Sequence, residues 1–184
     1  RVSGFAVTVA LAVSELPLLS LSSDALSLGS SLNDMSLTLS NRGNAPLSWS
    51  LSALPVWLSA SASSGDLAMG EESELELTVD RLSVAPGPYS EMVTVLSAAG
   101  GDRTVTVSMS VDRPVFGVSS QDLAFGAEET DKPLGLSNTG NVDLSWSVSS
   151  AADHAEWLTV DPLSGALAGG AVSDVSFGVD RSSL

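Results

Sequence analysis

Few residues in this chain are of types that do covalent chemistry. It has no cysteine, which excludes thiolate nucleophiles, thiolate metal sites and disulfides. The one histidine, His154, follows Asp153, a carboxylate that could orient an imidazole as in a catalytic triad. Serine is abundant, yet no Gly-x-Ser-x-Gly elbow presents one as a nucleophile. Zinc needs three or four N, S or O ligands, and one histidine without cysteine is a poor start. Neither a glycine-rich phosphate loop nor a dinucleotide fingerprint occurs. The expectation is a chain with no catalytic residue, no metal site and no cofactor.

Carboxylates are the most plentiful ionisable groups. Glu72, Glu74 and Glu76, following Glu71, alternate with residues that include Leu75 and Leu77. Period two places such carboxylates on the solvated face of a half-buried strand. Glu128, Glu129 and Asp131 form a second acidic turn, which leaves weak Ca²⁺ association open although no Asp-x-Asp-x-Asp-Gly loop is present. Over all 184 residues, 22 acidic side chains against 7 basic ones give a formal charge of −15. Nucleic acid and anionic membrane surfaces both call for Lys and Arg, so neither is an expected partner.

Tryptophan is the remaining candidate, because sugars stack on aromatic faces. Trp49 and Trp146 alternate in phase with Leu47 and Leu51 and with Leu144 and Val148, the pattern of core residues. Trp57 and Trp157 each open a short strand after a variable loop, and are the two weak carbohydrate candidates.

The elements that hold these residues are legible from a repeat. Asn41-Arg42-Gly43-Asn44-Ala45-Pro46-Leu47-Ser48-Trp49-Ser50 returns as Asn138-Thr139-Gly140-Asn141-Val142-Asp143-Leu144-Ser145-Trp146-Ser147. The motif reads as a strand end, a tight turn and a new strand, since Gly and Asn suit turn conformations. Around it Leu26, Leu37 and Leu39 match Leu123, Leu134 and Leu136. After an insertion between Ser149 and Glu156, Trp57-Leu58, Leu75, Leu77 and Asp80-Arg81 match Trp157-Leu158, Val175, Phe177 and Asp180-Arg181. Short alternating segments with turns every 8–12 residues indicate antiparallel sandwiches. Gly100-Gly101-Asp102 is a hairpin signal of the kind that suits primed turns. The fold expectation is all-β, a tandem pair of immunoglobulin-like antiparallel β-sandwiches. His154 falls in the insertion, where the first copy has no equivalent, and a lone histidine in a polar loop is usually solvent-exposed.

The motif order Asn-x-Gly-Asn-x-x-Leu-Ser-Trp-Ser, Trp-Leu, Ser-Gly-x-Leu, Val-Asp-Arg and Pro-Gly-x-Tyr resembles the BACON domain. More loosely it is similar to the ASH and choice-of-anchor modules, which share the Asn-x-Gly-Asn turn. The resemblance covers residues 18–112 fully and 115–184 in part. It implies an extracellular or cell-surface module of a larger protein, with carbohydrate or mucin binding proposed for such domains.

The register of the repeat divides the chain into residues 1–17, 18–112 and 113–184. Residues 18–112 make a complete domain, whereas 113–184 have no counterpart of the last two strands, over residues 87–111. Val7, Val9, Leu11 and Val13 alternate along an apolar segment that resembles Val105, Val107, Met109 and Val111. That period argues for a strand rather than the core of a signal peptide, and no apolar run is long enough for a membrane span. Residues 1–17 therefore read as the terminal strand of a preceding repeat, or a donor strand, followed by a linker. Two explanations stand side by side: a piece of a longer array, or completion between molecules, in which residues 5–13 insert into the unfinished domain of another copy. The expected function is a non-enzymatic structural or adhesive repeat, self-associating or packed against neighbouring repeats, with a carbohydrate-binding module as the alternative.

Overall fold

A computed structural model of the chain describes residues 4, 7–8, 14–149 and 156–183. His154 and Asp153 lie outside the described residues, as do Val9, Leu11 and Val13. Gly4, Val7 and Thr8 are exposed and in no strand. The contacts divide the chain into two compact units, one of Arg1–Ser83 with Ser90–Met109 and the other of Val84–Tyr89 with Ser110–Leu184. Among the described residues no helix is long and apolar enough to cross a membrane.

Fifteen strands and one short 3₁₀ turn, Arg181–Ser183, account for the regular structure of the described residues. In the first unit, β1 (Leu19–Leu21), β3 (Asp34–Asn41), β7 (Glu72–Val79) and β5 (Leu58–Ala60) form a four-stranded sheet in the order β1-β3-β7-β5. A second sheet runs β2-β9-β8-β4-β6, from β2 (Ala25–Ser27), β9 (Arg103–Val111), β8 (Gly87–Leu96), β4 (Leu47–Leu51) and β6 (Ser64–Leu67). Each sheet turns its apolar alternate residues inward. Leu37, Leu39, Leu75 and Leu77 from one meet Leu47, Trp49, Val93, Val95, Val105 and Val107 from the other, all buried. Glu72, Glu74 and Glu76 occupy the exposed alternate positions of β7, as period two requires.

Two local features differ from a reading of periodicity alone. The leucines at 19 and 21 lie in β1 and Leu26 in β2, strands of different sheets, with Leu28 just past β2: β1 pairs antiparallel with β3, and β2 pairs parallel with β9. The Ser23 hydroxyl accepts from the Ala25 amide and donates to its carbonyl, turning the chain between them. The Gly100-Gly101 hairpin is not a two-residue primed turn. Its loop spans residues 97–102, and of its two glycines Gly101 alone has positive φ, 76°. The loop is docked: the Leu19 amide donates to the Gly100 carbonyl at 3.0 Å, and the Asp102 carboxylate accepts from the Ser97 amide at 2.8 Å. Anchoring to β1 takes precedence over the tightest turn.

The second unit repeats the first sheet as β10-β11-β15-β13, from β10 (Phe116–Val118), β11 (Asp131–Asn138), β15 (Val172–Val179) and β13 (Leu158–Asp161). Opposite it stand β12 (Leu144–Ser147) and β14 (Ser164–Leu167), paired with each other. Registers are preserved: Trp49 lies across from Gly65 and Trp146 from Gly165. In each pair the indole packs so closely that a glycine Cβ would come within 3.1 Å of it. Both buried indole N–H groups have no hydrogen-bond partner, so the tryptophans are held by packing. A core of Leu136, Leu167 and Val175 remains, with Leu134, Leu144, Trp146 and Phe177 packed on it but only partly buried.

Candidate functional site

The duplicated Asn-x-Gly-Asn motif builds the same small device in each unit. Asn41 sits at the end of β3, fully buried, and its amide nitrogen donates to the carbonyls of Ala45, Leu67 and Ala68 at 2.7, 3.2 and 3.1 Å. Its amide oxygen accepts from the backbone N–H groups of Leu18 and Gly43. Asn138 reproduces the set with Val142, Leu167, Ala168, Val115 and Gly140. One side chain thus satisfies backbone groups of three segments that would otherwise be buried without partners.

The second asparagine grips the chain that enters the unit. The Asn44 oxygen accepts from the Leu16 amide at 2.7 Å, and its nitrogen donates to the Ser14 carbonyl at 3.1 Å. Asn141 does the same with the Arg113 amide at 3.0 Å and the Val111 carbonyl at 2.9 Å. Backbone bonds complete the clamp: Arg42 N–H to Leu18 O and Asn44 N–H to Leu16 O in one unit, Thr139 N–H to Val115 O and Asn141 N–H to Arg113 O in the other. The glycine between the asparagines is there for space. A Cβ on Gly43 would lie 2.2 Å from the Leu16 oxygen, and one on Gly140 2.1 Å from the Arg113 oxygen. Neither glycine needs a positive φ. The sequence shows a turn at this point; the hold on the entering chain is visible only in three dimensions. Its signal was the proline, Pro17 or Pro114, at the same distance ahead of each motif.

The second feature is an apolar cleft in the second unit. Leu123, Phe125, Leu134, Trp157, Leu158 and Phe177 line a space of ≈ 330 Å³. Their counterparts in the first unit, Leu26, Leu28, Leu37, Trp57, Leu58 and Leu77, are all buried. A second space in the same unit, of ≈ 320 Å³, is lined by Phe116, Leu144 and Trp146. Phe116 is 53% exposed, whereas its counterpart Leu19 is wholly buried. The contrast has a plain cause: β8 and β9 cover these positions in the first unit, and among the described residues no equivalent strand covers them in the second.

The carbohydrate candidates therefore separate. Trp57 is 5% exposed and belongs to the core, while Trp157 is half-buried and lines the cleft. Of the assembly candidates, Val7 is 71% exposed.

The acidic candidates are occupied by structure. Glu71 accepts from the Ala68 amide, and Glu72 from the Ser40 hydroxyl and from Arg42, a solvated pair at 3.3 Å. Glu129 accepts from the Gly126 amide and pairs with Lys132 at 2.9 Å, and these two, in that order, hold its carboxyl below the ordinary range. Asp180 is lowered by the hydroxyl and then the amide of Ser182. The arginines that follow Asp80 and Asp180 cap loop carbonyls: Arg81 those of Leu28, Gly29 and Leu32, and Arg181 those of Gly126 and Glu129.

Two face-to-face sheets, antiparallel except where β2 meets β9, with the successive edge strands β1 and β2 divided between them, define an immunoglobulin-like β-sandwich. The chain belongs to the viral BACON domain family, which matches residues 18–112 and again 115–184. No curated protein sequence matches it. Among solved structures it is similar to the ASH / PapD-like domain 7 of human CEP192, at 13% identity over 60% of this chain and 96% of that one, with a TM-score of 0.46. It is also similar to the CsuC–CsuE chaperone–tip adhesion subunit pre-assembly complex of Acinetobacter baumannii, at 12% identity over 85% and 88% of the two chains and a TM-score of 0.43. The Pseudomonas aeruginosa CupB2 chaperone matches at 8% identity, 85% and 87% coverage and a TM-score of 0.43. These likenesses concern fold, and nothing functional passes with them.

Proposed function

We propose that the chain is a non-enzymatic structural or adhesive repeat of an extracellular, cell-surface or viral-surface assembly, associating head to tail by strand complementation. The observation that carries this reading is the uncovered apolar face of the second unit, at positions that β8 and β9 bury in the first. Exposed apolar clefts of this kind mark interaction surfaces, and strand addition supplies both main-chain pairing and side-chain pockets. The non-enzymatic part is supported by the engagement of Glu71, Glu72, Glu129 and Asp180 in loop and turn contacts rather than in a shared site. Electron microscopy of the purified chain tests the reading. Linear strings of paired domains are expected; isolated two-domain particles at every concentration would contradict it.

A second reading, carbohydrate binding, is favoured by one observation: Trp157 lies beside Phe125 and Phe177 in an open cleft. Calorimetric titration with neutral oligosaccharides tests it, with quenching of binding in Trp157→Ala as the expected result and no heat in the parent chain as the contrary one.

A further inference from the structure

We infer that the outer face of the five-stranded sheet β2-β9-β8-β4-β6 is a lateral docking surface for the same face of a second copy. The contact is side by side and does not rest on the head-to-tail reading, which concerns another surface of the chain.

Alternation fixes which side chains make this face. Val93, Val95, Val105 and Val107 are buried against the other sheet. Met92, Thr94 and Leu96 of β8 and Thr104, Thr106 and Ser108 of β9 therefore point the other way. On β4, Ser48 and Ser50 alternate in the same manner with the buried Leu47 and Trp49, and Ser50 lies across from Leu96. At the sheet's two edges, β2 adds Ala25 and Ser27, opposite Thr106 and Ser108, and β6 adds Ser64 and Asp66. β8 is the middle strand, so Met92, 62% exposed, and Leu96, 41% exposed, give the face an apolar centre line.

Charge sets this face apart. In a chain of formal charge −15 its one outward carboxylate is Asp66, which accepts from the Ser48 hydroxyl at 2.6 Å. Glu91 and Arg103, at the margins, have the parity of the inward residues. The outer face of the opposite sheet is built otherwise, with Glu72, Glu74 and Glu76 exposed along β7. The second unit keeps the division by itself. Ser145, Ser147, Ser164 and Ala166 stand there at the places of Ser48, Ser50, Ser64 and Asp66, while Asp174 stands at that of Glu74.

That division names the occupant. Strongly acidic molecules repel one another wherever their carboxylates meet, and a basic molecule is drawn to the glutamate face instead. With outer face against outer face, the glutamate rows of two copies stay about three sheet spacings apart, roughly 30 Å. The screening length at physiological salt is about 8 Å, so little of that repulsion survives. Hydroxyls both donate and accept, which makes the face complementary to itself about a two-fold axis, an isologous arrangement. Met92 adapts its shape to what it meets. The face measures roughly 20 Å on a side, about 400 Å² in plan, against about 800 Å² per partner in a stable interface. The pairing is therefore weak and rises with concentration.

The test starts from the chain carrying Val9→Asp and Leu11→Asp, so that strand donation does not contribute. Light scattering is expected to show a reversible pair of chains. The pair should grow with concentration, and with salt between about 0.01 M and about 0.1 M, where the screening length falls from about 30 Å to about 10 Å. Adding Met92→Glu with Leu96→Glu should abolish the pair. Leu32→Glu with Met69→Glu adds the same two charges at exposed apolar positions off this face and should leave it intact. Cross-linking gives a readout that needs no added charge, because the chain has no native cysteine. Met92→Cys mixed with Leu96→Cys should form disulfide-linked pairs faster than either mixed with Ser36→Cys, on the outer face of the other sheet. Equal loss of pairing in the two glutamate variants, pairing that weakens as salt rises, or cross-linking no faster than with Ser36→Cys overturns the assignment. If the starting chain stays monomeric while the parent associates, the lateral contact falls and the head-to-tail reading stands. If the starting chain associates as fully as the parent and Met92→Glu with Leu96→Glu abolishes that association, the lateral contact stands and the head-to-tail reading falls. If neither chain associates, both fall.

Discussion

Gly43 and Leu16 approach so closely that a methyl group on the glycine would stand 2.2 Å from the leucine carbonyl oxygen. The same relation joins Gly140 to Arg113, at 2.1 Å. Because the obstructing atoms are backbone, they cannot rotate away. Gly43→Ala and Gly140→Ala are each expected to cost about 1–3 kcal/mol, the usual cost of overpacking, and to free the entering segment. Denaturant unfolding measures the first effect. Amide exchange at Leu16 and Arg113 measures the second, and unchanged protection there would contradict the clamp.

Asn41 and Asn138 test the same device from its buried side. Replacement by Ala removes a donor shared by three carbonyls and an acceptor for two amides. Leaving such buried groups unpaired costs about 1–3 kcal/mol each, so Asn41→Ala should approach the loss of the unit's whole stability. Asn44→Ala, at an exposed position, should cost roughly 1 kcal/mol or less. Thermal unfolding of the two variants compares them, and equal losses would argue against the division of labour.

The paired tryptophans should behave differently. Trp57→Ala empties a core position and is expected to cost about 3–5 kcal/mol, whereas Trp157→Ala removes a ring already half in solvent and should cost less. Chemical denaturation gives both values. If Trp157→Ala proves the more damaging, the cleft is more closed than described.

Acid should reach two loops only after the ordinary carboxylates have titrated. Glu129 and Asp180 have carboxyls held below their ordinary values by Gly126 with Lys132 and by Ser182. A lowered folded-state pKa contributes stability above the unfolded value, and that contribution is lost as pH falls through the folded value. Both groups are exposed, so the effect is local. The Gly126 and Ser182 amide resonances should shift with midpoints below the ordinary carboxylate range. Midpoints at ordinary values would show the hydrogen bonds to be unoccupied in solution.

Much of the fold was legible because it is written in period two. Leu37, Leu39, Leu75 and Leu77, with the glutamates between them, announce half-buried strands, and the doubled Asn-x-Gly-Asn motif gives the repeat. Three things were not legible. The crossing of the chain between sheets at Ser23 depends on β2 finding β9, which is distant in sequence. The wide loop at 97–102 depends on Leu19 docking against Gly100. The clamp depends on where Ser14 and Leu16 pass, which no local pattern states. Each is a long-range pairing, set by tertiary contact rather than by propensity. Of the site, the apolar character of Leu144, Trp146 and Phe177 was legible and the repeat register led to the expectation of an unfinished second domain, but which side chains line each cleft was not, since that is set by tertiary contact.

Head-to-tail association is the centre of this account, and molar mass measured by light scattering across a wide concentration range tests it most directly. The account predicts masses that climb with concentration through multiples of the 18.7 kDa chain, and that fall back when residues 5–13 carry Val9→Asp and Leu11→Asp. A single species of 18.7 kDa at every concentration would contradict it.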